Sequence, residues 1–590
     1  MQVCSANDLK CYQQIALDGS HVDNFVSQPR DYVEINARKG GTLRQGIITQ
    51  FNSLNPFTLK GIAPQSIYQI YEPLMHTTQD AFHLEGLVAQ CITLSDDMKS
   101  VEFHIDPVAK WHDGNPITAK DVKFTLTLLK SNAHPLYSSI YSFVSAIDVV
   151  DKNRVRIYSK QSMSSEEIFT LAKMLVLPEH FWIKRDFNQS AQVIPLGSGP
   201  YKLKSYIPGR ELTFERVKNY WGLTKPDSAG RYNIDHLVYD YYSDMNILRQ
   251  AAFSDEIDLF NEYLSKSWAT QYSEKKSEQF STNALCILDS SPRPLQAYQL
   301  NLRNPLFEDI NIRKTLEIAF DFNWSNKHLF YGQYQRSDSF FSNTPFSGQE
   351  EITDKEIQIL KHIEPTIPIE VLKPYTPSSY KNRNDLIKKL KIQLKTLLDH
   401  GYTLKRNQLY SPSGQRVHFE ILTSSEAFER ILLAHMANLK LIGISISIRK
   451  VIPSQFIRRM RTFKYDIIVN VFPNDGWPIS EVDLYWNSIF SDRHNSLNAS
   501  GMKDAFVDKL LLAIKNTHDT AIYKACLKAL DRYLLNKYIV IPQWYIANQR
   551  ILSQRQIQYP KGMPFNGLDI HSLWFDKKKA LPFKSGCKTL

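Results

Sequence analysis

Apolar residues in this chain come in short runs that switch between strand spacing and helix spacing. None approaches the roughly 18 consecutive apolar residues of a membrane-spanning helix. The best runs, such as 174–177 and 538–541, are strand-length. The chain therefore reads as one that does not cross a membrane and folds from many short elements around buried cores. Its 590 residues leave room for about three to five folding units. Only 22 Gly and 28 Pro are present, with no long Gly/Ser-rich or Pro-rich stretch, so those units are joined by short crossings. With 43% hydrophobic and 12% aromatic residues against 22% charged, disordered and low-complexity classes are excluded.

The net charge of +11 is modest for this length, and the basic residues are mixed with acids at helix spacing rather than gathered in a block. That pattern favours a solvated basic surface over a nucleic-acid interface. Six cysteines, Cys4, Cys11, Cys91, Cys286, Cys526 and Cys587, include no C-x-x-C pair, which removes support for a zinc ribbon or a thioredoxin-type site. They neither require nor forbid one or two disulfides. The first 27 residues lack the basic start, apolar core and small-residue cleavage site of a secretory leader, and residues 1–28 read as a polar arm.

Strands are expected at 42–48, 101–105 and 155–158, and a hairpin at 201–206 and 212–216 around Pro208-Gly209. Thr118 caps a helix with Asp121 at its third position, and Val122, Leu126 and Leu129 share one face. Beyond Leu237, strands and helices alternate in α/β fashion. Amphipathic helices are expected at 384–400, closed by Gly401, and at 424–442, stopped by Gly443. A strand at 444–451, a helix at 452–462 and a strand at 465–472 follow. Then come helices near 502–515 and at 520–536, and a buried strand at 538–544. Residues 346–368 are polar and acidic and read as an exposed, irregular insertion.

Templates for catalysis return little. There is no G-x-S-x-G elbow, phosphate loop, H-E-x-x-H or G-x-G-x-x-G. Gly197-Ser198-Gly199 precedes a strand and reads as a tight turn. His112-Asp113 opens an Asp-Gly turn rather than a dyad. No cofactor and no metal is implied.

Several segments are more specific, and they occur in a fixed order. They are Leu54-Asn55-Pro56-Phe57, Tyr71-Glu72-Pro73-Leu74, Trp111-His112-Asp113-Gly114 and Leu177-Pro178-Glu179-His180. After them come Pro195-Leu196-Gly197-Ser198-Gly199-Pro200-Tyr201, Tyr220-Trp221-Gly222 and Asn301-Leu302-Arg303. Together with Ser267-Trp268-Ala269-Thr270 and 329–334, this set resembles family 5 of the extracellular solute-binding proteins, in its YejA-like branch, over about residues 38–575. The resemblance implies an α/β, two-lobed periplasmic-binding-protein fold of type II, with an extra sub-domain in the first lobe and a ligand cleft between the lobes. By analogy residues 1–37 form an arm. The first lobe comprises 38–70, 196–290 and 500–590, the sub-domain 71–195, and the second lobe 291–499. Trp111 is expected in the core, Gly197 and Gly199 to supply backbone freedom, and Tyr220-Trp221 to pack on the adjoining sheet.

The resemblance further implies a monomeric periplasmic protein that binds oligopeptides, with peptide-nucleotide conjugates as a further ligand class. Its partners are an ABC permease and its ATPase; nucleic acid is not among them. A peptide that adds a strand to a sheet edge is held by backbone hydrogen bonds common to all sequences. Its charged termini need partners, because enclosing a bare charge is costly. By analogy the ammonium partner falls at Asp475, with Phe472, Asn474 and Trp477 around it; turn chemistry alone also accounts for this Pro-Asn-Asp-Gly loop. Arg336, Arg458, Arg459 and Arg461 are candidates for a carboxylate or phosphate, or plain surface charges. Asn55 either bonds ligand main chain or closes its own turn. A peptide or glycan hydrolase and a basic nucleic-acid-binding protein are the competing readings.

Overall fold

A computed structural model describes residues 10–16, 20–23, 25–78, 83–272, 282–425, 428–474, 476, 479–517, 519–562 and 564–576. The chain divides into two compact units, one of Met1–Ser290 with Asn548–Leu590, the other Ser291–Ala547. It therefore passes from the first to the second after Ser290 and returns after Ala547.

The first unit is built on a seven-stranded mixed sheet in the order Tyr201–Ile207, Glu211–Arg216, His236–Tyr242, Thr42–Ile48, Leu259–Asn261, Asn548–Gln554, Thr282–Leu288. Thr42–Ile48 runs parallel to both of its neighbours, with Leu43 opposite Leu237. Tyr201–Ile207 and Glu211–Arg216 form the expected hairpin, turned at Gly209 with φ +68°. A separate four-stranded antiparallel sheet, Ala89–Leu94, Ser100–Ile105, Arg154–Ser159 and Val144–Val149, carries the helix Ala119–Asn132. Thr118 and Asp121 close the capping box at its start, and Val122, Leu126 and Leu129 are buried.

The segment expected as a polar arm is tied down instead. Gln14–Ala16 pairs with His83–Gly86, Ile15 and Ala16 are buried, and Cys11 is disulfide-bonded to Cys91. Ile15 and Ala16 supply the apolar face, and the covalent link fixes its register. Cys286 is also disulfide-bonded.

The second unit holds a five-stranded sheet in the order Ser445–Lys450, His418–Thr423, Ile467–Phe472, Leu295–Leu300, Val540–Pro542. The first three are parallel and the last two pair antiparallel. One core, around Tyr298, Leu316, Leu390, Leu432 and Phe419, involves the helices Ile310–Ile318, Arg383–Asp399 and Glu429–Lys440. The other, around Leu295, Phe340, Leu510 and Leu530, involves Ala505–Asn516 and Thr520–Asn536.

Two expectations are corrected here. Residues 500–547 belong to the second unit, not the first. The helices Ala505–Asn516 and Thr520–Asn536 pack on its core, and Val540–Pro542 adds to Leu295–Leu300, so the chain returns only after Ala547. Residues 346–368 are not an irregular exposed insertion. They contain the helix Asp354–Ile363, begun by a Thr353/Glu356 capping box, and Phe346 and Leu360 are buried in the same core. The acidic composition is that of a helix N-terminus.

Candidate functional site

In open α/β sheets, ligands are met beyond the carboxyl ends of the parallel strands. In the second unit, His418–Thr423 and Ile467–Phe472 end on the side where Leu295–Leu300 begins, since Leu295 is opposite Phe472. That is the side at which the chain arrives at Ser291 and leaves at Ala547. In the first unit, Thr42–Ile48, His236–Tyr242 and Leu259–Asn261 likewise end on the side where Asn548–Gln554 begins.

On that side of the second unit, the short strand Gln335–Arg336 pairs with Trp544–Tyr545, placing Arg336 opposite Trp544. The Arg336 guanidinium lies over the Phe320 ring at 4.5 Å and its Nη2 is 3.5 Å from Glu317 Oε1. Nε and Nη1 are buried without a hydrogen-bond partner. Glu317 is already satisfied by the Ser378 amide at 2.8 Å and the Ser378 hydroxyl at 2.7 Å. Arg336 is thus charge-paired with Glu317 through Nη2, while Nε and Nη1 remain as donors. Beside it, Ser337 Oγ is also buried without a partner, and the buried Tyr298 hydroxyl and Gln543 side chain lie against each other. Tyr298 joins the group through Phe320, 5.7 Å away, and Gln543 through its backbone carbonyl, which accepts from Ser337 N at 3.2 Å. Trp544 packs on Phe330 at 4.8 Å and Phe428 at 6.0 Å. Buried donors left unpaired cost about 1–3 kcal/mol each, so such a cluster is suited to an incoming acceptor.

The other candidates are placed differently. Phe472 is buried against Phe340, Tyr485 and Trp486, so its ring forms core rather than pocket wall. Asn474 is buried too, donating from Nδ2 to the carbonyls of Arg293 and Ser342, both at 3.1 Å. It thereby fixes the loop after the strand. Asp475 and Trp477 lie outside the described residues. Asn55 closes its own turn. It accepts from Phe57 N at 2.9 Å and donates to Ser190 Oγ at 2.7 Å and Phe187 O at 3.3 Å, and it is 3% exposed. Nothing remains for a ligand.

Arg461 does not join Arg336. Its helix, Pro453–Arg461, starts beyond the carboxyl end of Ser445–Lys450 and runs back. Over nine residues at about 1.5 Å each, it delivers Arg458, Arg459 and Arg461 toward the amino end of the sheet. Arg458 and Arg461 are exposed there, and Arg459 is 4.0 Å from Glu420.

In the first unit the residue after Leu259–Asn261 is Glu262, fully buried. It accepts from Arg249 Nε at 2.9 Å, the Tyr272 hydroxyl at 2.6 Å and Leu264 N at 2.9 Å. Its own amide donates to Arg550 O at 2.7 Å. This anchored corner presents Tyr263, 63% exposed, and Leu264, 49% exposed, at the carboxyl end of the strand. Sequence reasoning missed this corner and missed Gln543 and Trp544. The signals were an acid directly after an apolar strand, and a Gln-Trp pair within a run already read as buried.

His112 Nε2 lies 2.8 Å from the Gly199 carbonyl, and burial draws its pKa down to about 4. Asp113 pairs with His180 at 2.8 Å on the surface. The turn is closed by Gly114 N donating to the Trp111 carbonyl at 2.9 Å and Asn115 N to Asp113 Oδ1 at 3.1 Å. Ser198 and Gly199 donate to the Ile70 carbonyl at 2.9 and 2.8 Å, and a Cβ at Gly197 would collide with that same carbonyl. Close approach, not the expected backbone freedom, demands these glycines.

Two α/β units joined by two crossings, with parallel strand ends on the crossing side of each, define a two-lobed binding protein. Residues 83–493 match the bacterial extracellular solute-binding proteins, family 5 (middle). The chain is 30% identical over 574 residues to a probable peptide-binding protein YejA of Agrobacterium fabrum, covering 95% of this chain and 92% of that one. It is also 30% identical over 566 residues to the peptidoglycan-binding protein YepA of the same organism, covering 92% and 91%. The oligopeptide-binding protein AppA from Bacillus subtilis, solved with a nonapeptide, has the same fold at TM-score 0.63 and 20% identity, covering 92% of this chain and 100% of that one. The chain belongs to family 5 of the extracellular solute-binding proteins, the binding components of ABC importers, which act in the periplasm or outside the cell.

Proposed function

We propose that this protein binds oligopeptides in the periplasm and delivers them unchanged to an ABC permease and its ATPase, peptide-nucleotide conjugates being a further ligand class. The observation that carries the reading is Arg336, with two buried, unpartnered guanidinium nitrogens on the side of its sheet where the chain crosses between units. A planar, permanently charged fork suits a carboxylate or phosphate, and burial strengthens the bond it makes. The peptide-binding relative and the nonapeptide-bound structural neighbour support the same ligand class. In this reading Asp475 receives the peptide ammonium group and Arg336 the carboxylate.

The test is titration calorimetry with a peptide mixture, followed by mass spectrometry of the recovered ligand. Saturable binding near micromolar, about −8 kcal/mol, with every peptide recovered at its original mass is expected. Shortened peptides would establish a hydrolase. Binding of arbitrary oligonucleotides that collapses with salt would establish a nucleic-acid-binding protein.

A further inference from the structure

A cavity lies in the second unit where the end of the Ile310–Ile318 helix, the helix Phe322–Leu329, the start of Arg383–Asp399 and the helix Glu429–Lys440 meet. Its volume is 270 Å³. That equals the liquid volume of about nine waters and falls just below the range of roughly 300–1,000 Å³ typical of drug-sized ligands. It can hold one residue but not a peptide.

Its walls carry three kinds of chemistry. Phe320, Trp324 and Ala434 supply apolar surface. Asp321 and Arg383 supply opposite charges: Asp321 commits Oδ1 to the Trp324 amide at 3.0 Å, and Arg383 commits Nη1 to Asn438 Oδ1. The third is His435, 3% exposed. Its Nε2 lies 2.9 Å from the Leu316 carbonyl, an acceptor only, so Nε2 carries the proton and Nδ1 is a bare acceptor. Nδ1 is buried without a partner. Burial draws the imidazole down to about 4, so it remains neutral at physiological pH. A ligand that uses all of these groups has an apolar body, a carboxylate for Arg383, and an ammonium group whose protons reach Asp321 and His435 Nδ1.

We propose that this cavity is an accessory site for a free α-amino acid with an apolar side chain. The site does not rest on the peptide reading, although it adjoins the Arg336 cluster: Phe320 lies against Arg336, and His435 stacks on Tyr298 at 5.6 Å.

The experiment is calorimetric titration of the purified protein with L-leucine and L-phenylalanine, beside N-acetyl-L-leucine and L-leucine amide. One saturable event per chain is expected, weakened about thirtyfold or more when either charge is blocked. Ala434→Phe and Ala437→Phe, which fill the cavity and its exposed rim, should abolish it, while Arg336→Gln should leave it intact. No saturable heat, unchanged binding in both filled variants, or loss in Arg336→Gln would overturn the proposal. In the last case the amino acid is entering the peptide site, and peptide titration of the same variants separates the two.

Discussion

Tyr220 donates its hydroxyl to Glu72 Oε1 at 2.6 Å, joining two of the motifs that carry the family resemblance. The Glu72 amide in turn donates to Ser198 Oγ at 3.3 Å, and Trp221 Nε1 to Ser198 O at 2.9 Å, so three motif segments are tied at one point inside the first unit. Their role is architectural.

That point is pH-sensitive. Burial raises Glu72 to about 7, with the Tyr220 hydrogen bond opposing. The folded state therefore holds a proton that the unfolded chain releases near 4.5. Its contribution is fully present below that pH and is lost as pH rises toward 7. Glu72→Gln, which retains the acceptor, should match the parent at pH 4 and be more stable by about 3 kcal/mol at pH 8, read by denaturant melts across pH.

Asn55→Ala should cost about 1–3 kcal/mol of stability, because it strands the Phe57 amide and the Phe187–Ser190 loop. Peptide affinity should not change. A tenfold loss of affinity in a folded variant would show that Asn55 reaches the ligand.

Arg336→Gln should weaken peptides with a free carboxylate by about 2–5 kcal/mol and amidated peptides far less. Equal losses for both would locate the effect in packing on Phe320.

Asp475→Ala should lower affinity for peptides with a free N-terminus by about 2–5 kcal/mol, with N-acetylated peptides nearly unaffected. Equal affinity of variant and parent would assign the ammonium group to another acid.

The Cys11–Cys91 link spans 80 residues of sequence. Replacing both cysteines by alanine should lower stability by about 2–4 kcal/mol. The chemical melt of the double variant without reductant is the check, since reductant would also open the bond at Cys286.

Fold was more legible than site, for a physical reason. The helix at Thr118 and the pair 384–400 and 520–536 carry caps and apolar stripes that act locally, and the structure places them within a residue or so of the expected bounds. The membership of Ala505–Asn516 in one unit rather than the other depends on which sheet its apolar face meets, which no local signal encodes. The same holds for Arg461 and Arg336. Both are arginines near apolar residues, but the direction of the Pro453–Arg461 helix carries one away from the strand ends at which the other sits. Asn55 illustrates the converse: its turn chemistry was visible in Leu-Asn-Pro-Phe, and the turn uses the whole side chain.

The Arg293 side chain donates to the Ala547 carbonyl at 3.4 Å, so the two extremities of the second unit are neighbours. A segment whose ends meet is a cassette: residues 291–547 can be excised, or reclosed with a short loop and opened elsewhere, without stretching the remaining chain. Evolution can exchange such an insert whole while leaving the 333 residues around it unchanged.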